Sequence, residues 1–171
     1  IVAFRARFDA PFAIVGLSSC DCNGLGFQFF RKTGATLHID FTAQKASLIS
    51  QPPGGTVIPF VAPPAHLAGF RTAFITVDVG EGFDPTQNQT RTLVTALLDT
   101  GAATSAIHRQ ILDIDPDTER AHINIHQDQL GTIAVSALAY DTQGLPSIII
   151  GTDVMRTWAD DWYFQFGGDS G

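Results

Sequence analysis

Short apolar segments that alternate with polar residues constrain the fold of this chain more than any other feature. Each has the length and β-branched content of a strand, and clusters of Gly, Pro, Asn and Asp separate them. The clearest of these segments are Leu37 to Phe41, Phe74 to Val79, Leu93 to Leu98, Ile133 to Ala139 and Ile148 to Ile150. Helix signals are scarce: we expect a short helix that begins near Asp153, and a further helical turn between Ser105 and Leu112. The sequence therefore predicts an all-β fold with one short helix.

The composition narrows the class of protein. Hydrophobic residues make up 44% of the 171 residues and charged residues 16%, which is enough apolar material for a packed core. A net charge of −7 argues against nucleic acid as the main partner, because phosphate binding needs a basic face. No apolar run is long enough to cross a bilayer, and charged residues interrupt the first segment, so we expect neither a membrane span nor a signal peptide.

Two further features bear on the cellular compartment and the origin of the chain. Cys20 and Cys22 flank one aspartate, and neighbours so close make a poor structural disulfide. This favours a reducing, intracellular compartment. Because the chain starts without Met, we expect it to be a processed product or a piece of something longer.

The stretch from Gln51 to Pro64 suggests a division of the chain. It reads QPPGGTVIPFVAPP, in which the prolines remove hydrogen-bond donors from any strand ladder and the paired glycines are conformationally permissive. We interpret residues 51–64 as a linker. It separates an N-terminal segment, residues 1–50, from a C-terminal unit, residues 65–171.

Two motifs in the C-terminal unit point to chemistry. Residues Leu97 to Ala102 read L-L-D-T-G-A, an apolar strand that runs into an acid, a small hydroxyl residue and glycine. Taken alone, this is equally well an ordinary turn after a strand. Downstream, a second apolar strand, Ile148 to Ile150, ends in Gly151 and is followed by T-D-V-M.

Together these two motifs resemble the core of the retropepsin-like aspartic peptidases of retroviruses and retroelements. The resemblance covers about residues 70–166 and extends to the order of elements: hairpin, D-T-G-A turn, mid-section, Gly-ended strand, short helix and a final strand over Trp162 to Phe166. It implies a closed β-barrel lobe that is active as a two-fold dimer. It also implies a catalytic Asp99, a supporting turn of Thr100, Gly101 and Ala102, and a structural strand beside the site with Ile149, Ile150 and Gly151.

The chemistry of such a site needs two carboxylates. Like charges in contact share one proton, so the ionised member takes a proton from water while the protonated member polarises the scissile carbonyl. A second acid-hydroxyl-glycine triplet, Asp169 to Gly171, lies at the end of the sequence with no chain after it to build a lobe, and we assign it no role. The second carboxylate is therefore expected from Asp99 of another copy.

The function expected from this resemblance is aspartic endopeptidase activity on a peptide or polyprotein, by a homodimer in the cytoplasm or a retroelement particle, with no cofactor. The alternative is a catalytically inactive dimerisation or peptide-binding module of the same fold, in which Asp99 only caps a turn. A glycine-rich flap, which these enzymes close over substrate, is hard to find. The interval from Asp113 to Gly131 is polar and has a single glycine.

The role of residues 1–50 stays open. Ala13 to Leu17 and Phe29 to Phe41 look like the end of a protease lobe from a gypsy-type retroelement, which would make the segment a remnant of an upstream lobe. It could equally be a β extension, or add strands to the dimer interface. Elsewhere, His122 and His126 would share one face of a strand, but no third ligand is evident, so we expect no metal ion there.

Overall fold

The computed structural model describes residue 30 and residues 34–68, 72–82 and 92–166. The expectations for Cys20, Cys22 and Asp169 to Gly171, and those for the first 29 residues, lie outside the described residues.

Within the described residues the chain forms nine strands and contains a short α-helix near its C-terminal end, so the predicted all-β class with a closed barrel is confirmed. The strands are β1 (Thr36–Asp40), β2 (Lys45–Ile49), β3 (Phe74–Glu81), β4 (Thr92–Leu98), β5 (Ala106–His108), β6 (Arg120–Gln127), β7 (Gly131–Tyr140), β8 (Ile148–Ile150) and β9 (Asp161–Gln165). The helix, α1, spans Thr152–Trp158, and two 3-10 turns span Ala65–Leu67 and Arg109–Ile111. Part of the helical turn expected between Ser105 and Leu112 is instead the strand β5.

Six strands close into a barrel in the order β3-β4-β8-β5-β7-β6. β3 and β4 form an antiparallel hairpin, whereas β8 lies parallel to β4, with Leu97 opposite Ile149. Side chains alternate across each strand, so every second residue points into the barrel. The buried barrel core includes Ile75, Val77, Val79, Val94, Ala96, Leu98, Ile107, Ile123, Ile125, Ile148 and Ile150.

A second, three-stranded sheet has the order β2-β1-β9. β1 lies between the hairpin partner β2 and the last strand, antiparallel to both, and Leu37 is opposite Phe164. Both of these side chains are buried and belong to the same hydrophobic core cluster as the barrel residues. Residues 36–49 therefore add two strands to the unit that contains the end of the chain.

The proline-rich segment 51–64 has no helix or strand, and it packs against both sheets. The Val61 N–H donates to the Phe74 carbonyl at 2.8 Å. The ring of Phe60 stacks on those of Phe164 and Phe166, with centroids 6.5 and 5.4 Å apart. The segment thus connects the hairpin β1–β2 to the barrel along a fixed path. None of the helices in the described residues is both long enough and apolar enough to cross a membrane.

Candidate active site

Asp99 lies at the carboxyl end of β4, beside the carboxyl end of the parallel strand β8. The Leu98 N–H donates to the Ala73 carbonyl at 2.9 Å, and the Asp99 N–H donates to the Ile150 carbonyl at 2.9 Å. The turn then closes on itself, because the Ala102 N–H donates to the Asp99 carbonyl at 3.2 Å. The structure thus brings the two sequence motifs together.

The Asp99 carboxylate is half-buried and has one oxygen engaged. Its Oδ1 accepts a hydrogen bond from the Gly101 N–H at 2.9 Å. A Cβ on residue 101 would lie 3.2 Å from that oxygen, tighter than most van der Waals contacts, so glycine keeps the space beside the carboxylate open. Within the described residues Oδ2 has no hydrogen-bond partner, which leaves it able to bind water or a second acid.

Gly151 is a glycine because two segments approach closely there. Its backbone is extended, with φ −87° and ψ −176°, so its conformation alone does not require glycine. A Cβ, however, would lie 2.8 Å from the Ala102 carbonyl oxygen and 2.9 Å from the carbonyl carbon of Thr104. The next N–H, of Thr152, donates to that same Ala102 oxygen at 2.8 Å. The turn after Asp99 therefore rests directly on the start of α1.

A buried network that the sequence did not predict fixes this contact. The Ser105 hydroxyl donates to Asp153 Oδ1 at 2.7 Å and accepts from the Gly151 N–H at 2.9 Å. The Ser105 N–H also donates to Asp153, 2.9 Å from Oδ2, and the Val154 N–H donates to Oδ1 at 2.8 Å. Both oxygens of Asp153 are occupied in this way, so its role is structural.

The apolar residues at the ends of β4 and β8, beside Asp99, divide into two pairs. Leu98 and Ile150 are buried, at 1% and 0% exposure. Leu97 and Ile149 are half-buried. The reason is the pleat: Leu97 and Ile149 lie opposite one another on the other face of the β4–β8 pair.

Thr100 and Ala102, the other residues of the turn, are also half-buried. The hydroxyl of Thr100 makes no hydrogen bond within the part of the chain that the structure describes. A half-buried hydroxyl with an open donor is a group that a partner surface can satisfy.

The interval from Asp113 to Gly131, in which the sequence left a flap unplaced, forms no flap among the described residues. β6 and β7 do form a hairpin, but β6 also pairs with β3, and β7 with β5, so the hairpin is barrel wall. Residues 109–119, which precede the β6–β7 hairpin, are anchored by hydrogen bonds from the Arg109 side chain. Its Nη1 donates to the carbonyls of Asp115 and Thr118, both at 2.6 Å, and its Nε to Asp141 at 3.0 Å.

Two surface cavities are lined by described residues. One of about 380 Å³ is lined by residues that include Glu81, Asp113 and Arg120, and one of about 330 Å³ by residues that include Gly82 and Ser136. Residues 99–102 line neither.

Neither a scan against protein-family models nor a comparison with curated protein sequences finds a match for this chain.

Proposed function

We propose that the chain is an aspartic endopeptidase that works as a two-fold dimer and hydrolyses peptide bonds in an extended peptide or polyprotein segment. The observation that carries this proposal is the turn at Asp99. It places a carboxylate at the end of two parallel strands, with one oxygen held by the Gly101 N–H and the other open. This arrangement supports a role for Asp99 as one half of a shared-proton carboxylate pair.

The proposed chemistry uses no cofactor. The ionised Asp99 takes a proton from a water molecule, whose oxygen attacks the scissile carbonyl carbon, while the protonated Asp99 of the second copy donates a hydrogen bond to the carbonyl oxygen. The tetrahedral intermediate collapses as the C–N bond breaks and a carboxyl proton passes to the leaving amine. A single proton shared between the two acids is restored at the end of the cycle.

A second copy of the chain is the proposed source of the other acid. Within the described residues, the only carboxylate other than that of Asp99 that is hydrogen-bonded to residues 100–105 is that of Asp153, whose oxygens are both occupied. A two-fold axis beside the turn would bring two Asp99 carboxylates together and would give the open Thr100 hydroxyl a partner on the other copy.

A catalytically inactive dimerisation or peptide-binding module is the second candidate. The observation that favours it is the lack of a flap hairpin among the described residues, since the segment 109–119 is short and pinned by Arg109. A site without a cover excludes water poorly, and water exclusion strengthens electrostatic catalysis.

Asp99→Asn separates the two candidates. The amide keeps the shape of the side chain but cannot share a proton with a second acid, so we expect peptide cleavage to be abolished. Mass spectrometry of a mixed peptide library, incubated with the protein at acidic and at neutral pH, measures the cleavage. Wild-type cleavage should be greatest on the acidic side, where the pair holds one proton. Asp117→Asn, at an exposed turn far along the chain, is the matched control and should cleave normally.

Mixing the chains tests the dimer. If wild-type and Asp99→Asn chains are refolded together in equal amounts, about one quarter of randomly formed dimers carry two intact chains. Activity per wild-type chain should then fall to about half, because a mixed dimer lacks a complete acid pair. Undiminished activity per wild-type chain would contradict a site shared between copies. Peptide binding without cleavage, unaffected by Asp99→Asn, would favour the binding module.

A further inference from the structure

Three potential metal ligands meet on the outer face of the barrel, where β3, β6 and β7 lie side by side. They are Asp78, His126 and Asp128, and one ligand atom from each lies within 4.8 Å of the other two. His126 occupies the middle strand, opposite Asp78 on β3 and Thr132 on β7. Strand register therefore determines which side chains surround the imidazole.

The imidazole is oriented by Thr132. Nδ1 of His126 lies 2.8 Å from the Thr132 hydroxyl oxygen, while Nε2 lies 3.3 Å from Asp128 Oδ1. When Nδ1–H donates to that hydroxyl, Nε2 carries the ring's lone pair, 3.3 Å from the Asp128 carboxylate oxygen. Histidines that bind metals commonly donate their other ring N–H in this way, and the bond fixes both tautomer and ring direction.

The loop that carries Asp128 is also held in place. Residues 128–130 form a three-residue hairpin loop that ends in Gly131, whose φ of +83° is the left-handed conformation such loops use. The side-chain oxygen of Gln127 accepts from the N–H groups of Gln129 and Leu130, at 2.7 and 3.1 Å. The Trp158 indole N–H donates to the Gly131 carbonyl at 3.3 Å. The Asp128 backbone is thus positioned before any ion binds.

We propose that Asp78, His126 and Asp128 bind a divalent transition-metal ion of the Zn²⁺ class. An imidazole nitrogen with two carboxylate oxygens suits such ions better than Mg²⁺ or Ca²⁺, which prefer oxygen ligands alone. Three protein ligands leave the remaining coordination positions to water. A bound ion would cross-link β3 to the β6–β7 hairpin and offset the repulsion between the two carboxylates.

This site is separate from Asp99, and it differs from the pairing of His126 with His122, for which the sequence predicts no metal ion. Asp78 is opposite Leu93, six residues before Asp99, which is a distance of roughly 20 Å along the strand. His122 lies four residues from His126 on the same strand, roughly 13 Å away, so the two cannot share one ion.

Isothermal titration of the metal-free full chain with Zn²⁺ tests the proposal. We expect one equivalent to bind, and the affinity to fall at least tenfold in Asp78→Asn and in Asp128→Asn. Asp128 is exposed, so its change leaves the fold intact. Thr132→Val should weaken binding about 10- to 100-fold through loss of the orienting hydrogen bond. His122→Gln, on the same strand face but outside the cluster, is the matched control and should bind as the wild type does.

Several results would overturn the site. One is the lack of Zn²⁺ binding, and another is binding that the Asp78 and Asp128 changes leave unaltered. Equal loss in His122→Gln and Asp128→Asn would mean non-specific binding by surface histidines, and millimolar Mg²⁺ competing as well as Zn²⁺ would mean a simple acidic patch. These readouts do not depend on peptide cleavage, so they are independent of the proposed function.

Discussion

At the scale of single residues, Gly151 is the position near the candidate site with the least room for a side chain. We expect Gly151→Ala to lower the free energy of unfolding by about 1–3 kcal/mol, the usual range for overpacking, and to reduce peptide cleavage by displacing the turn after Asp99. Chemical denaturation with a parallel cleavage assay measures both. Gly54→Ala is the control, because a Cβ there meets no atom within 4 Å. Equal stability of the two variants would contradict the close packing at Gly151.

Tyr140 is a second residue with a specific expectation. Its hydroxyl donates to the Pro146 carbonyl, and burial raises its pKa from 10.0 to about 12. The unfolded chain therefore loses this proton first, so the group does not alter stability below pH 10 and lowers the free energy of unfolding as the pH rises from 10 to 12.

The tyrosinate absorbance of a Tyr163→Phe variant measures this pKa directly, because the chain has two tyrosines and the change leaves Tyr140 as the single one. We expect a midpoint close to 12 in the folded variant and close to 10 in denaturant. A folded-state midpoint at 10 would mean that the hydroxyl is solvated and that its bond to Pro146 is not formed.

At the scale of elements, Ser105 joins β5, the end of β8 and the first turn of α1. Ser105→Ala leaves the buried Gly151 N–H without its partner and removes one of the hydrogen bonds to Asp153 Oδ1, which the Val154 N–H still donates to. We expect the free energy of unfolding to fall by about 1–3 kcal/mol, the cost of leaving buried polar groups unsatisfied. Thermal and chemical denaturation measure this. The control Ser50→Ala, at an exposed position, should change stability by less than about 0.5 kcal/mol.

At the scale of the whole molecule, the sheet β2-β1-β9 joins residues 36–49 to the C-terminal strand. Leu37 packs in the common core at 8% exposure, so Leu37→Ala should lower the free energy of unfolding by about 2–5 kcal/mol and leave a single transition. Leu93→Ala, at 69% exposure, is the control and should be nearly neutral. A second, separate transition for the variant would mean that β1 and β2 fold apart from the barrel.

Particular strands show how far the sequence predicted the fold. The alternation in Phe74 to Val79 and Leu93 to Leu98, and the β-branched run Ile148 to Ile150, identified β3, β4 and β8 close to their bounds. β5 was missed, because its three residues, Ala106–His108, are too few to show the alternation of apolar and polar residues that marks a strand. β2 was missed as well, because K-A-S-L-I has little apolar alternation and is a strand through its pairing with β1.

The candidate site, like the fold, was predicted from the sequence only in part. The sequence by itself determined the strand-ending D-T-G-A turn and the Gly-ended strand, because both are local patterns of neighbouring residues. Only the tertiary structure decided that the Asp99 N–H meets the Ile150 carbonyl, that Ser105 reaches Asp153 and that His126 lies between Asp78 and Thr132. These contacts join residues that are far apart in the sequence or on different strands, and their partners follow from sheet order and register, which the closure of the whole barrel sets.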